Sequence, residues 1–86
     1  MSPERPRQAE GLEVHEVADG LVVYDPKADR VHYLNASASV VFELCSGQRT
    51  VEQIAAIVAQ TWGLPSAPGP DVARCVGQLL SEGVLV

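Results

Sequence analysis

The chain has 86 residues, 47% of them apolar and 20% charged, with eleven acidic side chains against six basic ones and a formal net charge of −5. That length supports one small domain that buries roughly 60% of its unfolded surface, and the apolar share excludes a disordered chain. The negative balance has the wrong sign for neutralising nucleic-acid phosphates, two cysteines are too few and too far apart for a secreted disulfide scaffold, and no apolar run approaches membrane-spanning length.

Residues 1–10 are polar, carry Pro3 and Pro6, and show no signal-peptide pattern. They are expected to form a flexible tail to a domain over residues 11–86 of a cytoplasmic protein. Leu12–Val17 alternates imperfectly, and Asp19-Gly20 is a hairpin signal. Leu21–Tyr24 is apolar on both faces, which suits a central strand. The Asp25–Asp29 loop has turn chemistry, because Pro26 fixes its own φ and Asp25 can bond back to nearby backbone N–H groups. Arg30–Asn35 follows as a third strand, and three strands joined by short loops make an antiparallel meander with two free edges.

Asn35 stands where a strand stops and a helix needs a cap. The first helix is predicted from Ala36 to Cys45, with Ala38, Val41, Phe42 and Cys45 on its buried face and Gly47 just beyond. Thr50-Val51-Glu52-Gln53 has the form of a capping box. Val51, Ile54, Ala55, Val58 and Trp62 then make the core stripe of a second helix that Gly63 ends. After a proline-stiffened connector, a third helix starts near Pro70 or Asp71 with Val72, Cys75, Val76, Leu79 and Leu80 as its core stripe. Gly83 closes it, and Val84–Val86 is either a short strand or a packed tail. The fold class is α+β, an N-terminal three-stranded antiparallel sheet followed by a three-helix winged helix-turn-helix.

No catalytic constellation emerges. His15 and His32 sit on predicted edge strands, where an exposed histidine is the plain reading, and no nucleophile motif accompanies them. His15, His32, Cys45 and Cys75 lack the paired spacing of a zinc site, and the glycines punctuate helices rather than build a phosphate loop. The chain is therefore expected to be no enzyme and to need neither cofactor nor metal. A winged-helix DNA-binding module is the alternative. Apart from Arg74, however, the outward positions of the third helix are Asp71, Ala73, Gly77, Gln78, Ser81 and Glu82, which offer little to a phosphate backbone. A degenerate winged helix used only for dimerisation is a further option.

Peptide binding survives this elimination. Glu13 and Glu16 discourage pairing along the first strand, whereas Val31-His32-Tyr33-Leu34 contains neither charge nor proline. Such an edge either accepts an added strand or is covered by the tail or the third helix, and the residues alone leave both open.

The segments Tyr33-Leu34-Asn35-Ala36-Ser37-Ala38, Leu44–Ala55, Asp71-Val72 and Leu79–Leu85 together resemble the PqqD family, also called RiPP recognition elements. The resemblance runs from about Leu12 to Val86. It implies a non-catalytic peptide chaperone that binds the leader segment of a ribosomally synthesised precursor peptide and delivers it to a tailoring enzyme such as a radical enzyme, a protease or a cyclase. It also implies that the leader adds as a strand to the third strand, against Arg30, Val31, His32, Tyr33 and Leu34, in a groove walled by the third helix. Two flanks of that helix border its core stripe, Asp71, Arg74, Cys75 and Gln78 on one side and Ala73 and Gly77 on the other, and the first is favoured for contacts to the leader. No nucleic acid or membrane is an expected partner.

Overall fold

A computed structural model describes residues 5–86. Three antiparallel strands, β1 (Glu13–Val17), β2 (Gly20–Asp25) and β3 (Arg30–Asn35), precede three helices, α1 (Ala36–Leu44), α2 (Val51–Trp62) and α3 (Gly69–Ser81). As the apolar run of β2 requires, that strand is central. Leu21 and Val23 pair with Glu16 and Val14 on one side and with Leu34 and His32 on the other, and this row faces the helices. The opposite face carries Tyr24 paired with Glu13 and Val31, and Val22 paired with His15 and Tyr33.

The expected loops are present, with one change of role. Asp25 Oδ1 accepts from the N–H groups of Lys27 and Ala28 at 3.1 and 3.4 Å. Gly20 does not form the hairpin turn but opens β2, opposite Val17. A Cβ at Gly20 would lie 1.8 Å from the Leu34 carbonyl oxygen, so glycine is needed there for close approach to β3 rather than for a positive φ.

Asn35 caps α1 as expected, its Oδ1 accepting from the Ala38 N–H at 2.9 Å. The helix ends one residue before Cys45, which serves as its C-cap. The capping box of α2 is closed in both directions, and Gly63 ends that helix in the left-handed conformation. Val41, Phe42, Ile54, Ala55, Val58, Val72, Val76 and Leu79 meet Leu21, Val23 and Leu34 in one core. Trp62 departs from its expected stripe: at the last turn of α2 it has run past the core and is 45% exposed.

The expectation of a loose tail is corrected for residues 6–9; residues 1–4 lie outside those described. Pro6 is fully buried. Arg7 and Val86 exchange backbone hydrogen bonds at 3.0 and 2.8 Å, the Ala9 N–H donates to the Val84 carbonyl, and the Gln8 N–H donates to that of Cys45. The Gln8 side chain adds a bond from Nε2 to the Phe42 carbonyl at 3.1 Å. A polar segment with little to bury is held because the C-terminal Val84-Leu85 strip, itself buried, needs backbone partners. This decides the role of Val84–Val86: they are a packed tail held by a single β-bridge, Leu85 to Gln8, rather than a strand of the sheet.

Cys45 is wholly buried, and burial pushes its thiol up from 9.0 to about 11. Below pH 9 the folded and unfolded chains both hold this proton and the thiol adds no pH dependence. Between about pH 9 and 11 only the unfolded chain releases it. Stability is then expected to fall by about 1.4 kcal/mol per pH unit in that window, a total of about 2 to 3 kcal/mol. Urea unfolding at pH 8 and pH 10.5 measures this loss, and Cys45→Val removes it.

Candidate functional site

No strand among the described residues pairs with the outer edge of β3, since the sheet order is β1-β2-β3. Among the described residues, neither of the two segments expected to cover it does so. Residues 6–9 pair with the C-terminus, and no Cα of β3 comes within 8 Å of one in α3. Its unpaired backbone N–H and C=O groups therefore border a groove rather than a packed interface. At the end where β3 begins, that groove has a volume of about 500 Å³ and is lined by Arg30, Val31, His32, Tyr33 and Glu82.

His32 is the main correction to the sequence reading. Its side chain is 9% exposed, and Nδ1 lies 2.9 Å from Glu82 Oε2 just beyond the end of α3. Antiparallel register puts His32 on the helix side of the sheet beside Val23, and that burial is why it is not the exposed strand histidine expected. Its Nε2 is buried without a hydrogen-bond partner. Replacing Glu82 with alanine leaves the imidazole with neither nitrogen satisfied. The expected result is a loss of about 1 to 3 kcal/mol in urea unfolding, with His15→Ala, on an exposed strand position, near neutral.

Along α3, Asp71, Cys75 and Gln78 are spaced to share one face, and a further step of four reaches Glu82. The far end of this row opens on a second cavity of about 350 Å³, whose lining includes Ser37 and Val41 of α1, Trp62, and Asp71, Val72 and Cys75 of α3. Of the flank expected to face a ligand, Asp71 and Cys75 thus reach a cavity, and Gln78 is exposed between the two openings in sequence. Arg74 lines neither cavity; its side chain is 78% exposed and sits 3.7 Å from Asp71. Burial pushes the Cys75 thiol above its ordinary range, which keeps it a neutral, apolar wall. Glu82 and Ser37 are the site residues that the sequence reading missed. Glu82 was visible as the next member of the α3 row, whereas nothing in the sequence places Ser37 opposite α3.

The other side of β3 is open. Val31 is 66% and Tyr33 58% exposed, and the Tyr33 hydroxyl donates to Asp19. Leu34 turns inward and is buried in the core, so it contributes backbone rather than side chain to the edge. Among the described residues no three His, Cys, Asp or Glu side chains gather as a metal site. No helix among them is long and apolar enough to cross a membrane.

No curated protein and no solved structure matches the chain. The family described as coenzyme PQQ synthesis protein D (PqqD) matches residues 20–85, from the first residue of β2 through the strip after α3. The match includes the open β3 edge and all of α3. The chain belongs to the PqqD family, the RiPP recognition elements, whose members are peptide-binding accessory proteins.

Proposed function

We propose that this protein is a non-catalytic adaptor that binds the leader segment of a ribosomally made precursor peptide by β-strand addition to β3 and delivers it to a modifying enzyme. The observation that carries this reading is the uncovered edge of β3 beside a groove whose far wall begins at Glu82. An added strand satisfies the unpaired edge groups of β3, and its alternate side chains fall on the groove side and on the open side of the sheet. Arg30, Val31, His32, Tyr33 and Leu34 supply the pairing edge. Asp71, Cys75, Gln78 and Glu82 border the side chains that turn toward α3, with Arg74 at the rim.

The reading is tested by searching the neighbouring genes for a short precursor, titrating the labelled protein with a synthetic peptide of its leader and following backbone amide signals by NMR. The largest shifts are expected at residues 30–35, followed by the 71–82 row. A leader that binds while leaving the signals of residues 30–35 in place excludes strand addition. Binding to duplex DNA that weakens steeply with salt would instead favour the nucleic-acid reading, against which the net charge of −5 argues.

A further inference from the structure

Strand pairing assigns every side chain of the sheet to one of two faces, and the helices pack on only one of them. On the other, Glu13, Tyr24 and Val31 form one row and His15, Val22 and Tyr33 the next. At its β3 side this face is open, as the exposure of Val31 and Tyr33 shows. Its tyrosines are held in place. The Tyr24 hydroxyl donates to Asp29 Oδ1 at 3.1 Å, and that of Tyr33 to Asp19. Three carboxylates, Glu13, Asp19 and Asp29, border the apolar centre; Lys27 is the one basic side chain in the turn that carries Asp29, and neither row contains a lysine or arginine. The hydrogen bonds to these carboxylates also raise both hydroxyls above the ordinary tyrosine range, so the rings stay neutral.

We propose that this outer sheet face is a docking surface for the modifying enzyme, which meets Val31 and the two tyrosines with an apolar patch and the carboxylate rim with lysine or arginine side chains. The inference rests on the leader-binding reading for the identity of the partner. Fixed tyrosines at the centre of a patch, ringed by charge, are the arrangement that concentrates binding energy at protein interfaces. A second copy of this chain fits poorly, because it would set acidic rim against acidic rim between molecules of charge −5. The face is also continuous with the leader edge: a strand added to β3 places every second side chain beside Val31 and Tyr33. The enzyme therefore meets a larger surface on the loaded protein than on the empty one, and loading is expected to tighten the complex.

The test uses the full chain, the synthetic leader, and a peptide-modifying enzyme identified from a gene neighbouring that of the precursor, with binding followed by calorimetry. Wild type is expected to bind the enzyme more tightly with leader than without, and less tightly as salt rises. Tyr24→Arg is expected to weaken the enzyme complex about tenfold or more, and Glu13→Lys several-fold. Both variants should hold the leader as wild type does, because neither position lies on the pairing edge. If Tyr24→Arg does not fold, the exposed Glu13→Lys carries the test alone. Enzyme binding unchanged in the folded variants overturns the proposal, as does self-association of wild type through this face in sedimentation. Failure of the leader itself to bind wild type refutes the leader reading instead, so the two failures are distinguishable.

Discussion

Leader peptides carrying a single backbone N-methyl group, moved one residue at a time through the bound segment, are expected to lose affinity in alternation. An edge strand offers its free N–H and C=O groups at every second residue, and an added strand answers with every second N–H of its own. A methyl on one of those paired nitrogens removes a hydrogen bond with a net worth of about 0.5 to 1.5 kcal/mol and also crowds the strand against β3. The expected loss is about tenfold or more at paired positions and little at those between, since about 1.4 kcal/mol is tenfold in affinity. Fluorescence anisotropy with a labelled leader measures the series. A uniform profile, or sensitivity confined to side-chain replacement, would remove β3 pairing as the source of affinity while leaving the α3 row as a binding wall. The period of two is diagnostic because a helical ligand in the same groove repeats every three to four residues.

A chain that begins at Glu10 is expected to be severely destabilised. Deleting the residues before it removes the backbone bonds of Arg7, Gln8 and Ala9 to Val86, Cys45 and Val84, together with the Gly47 N–H bond to the Pro6 carbonyl and the Gln8 side-chain bond to Phe42. It also uncovers Val84, Leu85 and Cys45, all buried in the intact protein. A loss on the order of 3 to 5 kcal/mol follows from the hydrogen bonds and burial together, against about 5 to 15 kcal/mol for the whole stability of a typical domain. The urea midpoint should fall sharply, and leader affinity with it. The Val84-Leu85 strip leads directly back to Glu82, the residue that holds His32 at the mouth of the groove. An unchanged midpoint would show that the segment only rests on the surface and restore the expectation of a tail.

Why that segment was missed is instructive in physical terms. Arg7 and Gln8 carry no hydrophobic signal, and apart from the Gln8 side-chain bond to Phe42 their contribution is main-chain hydrogen bonding, which residue type barely encodes. The helix boundaries were legible because caps are short-range: Asn35 lies three residues from Ala38, and Thr50 three from Gln53, so acceptor and donor are both in view. Trp62 shows where a periodic pattern fails. The spacing continues through it, but the core ends before the last turn of α2, and periodicity has no knowledge of how far a neighbour extends. His32 failed for the converse reason. Its place on a strand was legible, but its partner stands fifty residues away at Glu82.

The order of strands and helices, the central place of β2, the caps of α1 and α2 and the choice of β3 as the less protected edge all follow from residues close together in the chain. Hydrophobic period, cap chemistry and charge are local properties and survive without a fold. Whether the β3 edge is covered was decided only in three dimensions. Residues 7–9 bond to Val84, Val86 and Cys45 rather than to β3, and α3 stands off from it, so among the described residues the groove at Glu82 is open. Coverage depends on where separate segments come to rest, set by the long-range packing of α1 and α3 on the sheet. An edge can advertise itself in sequence, but only the positions of the other elements determine whether it is vacant.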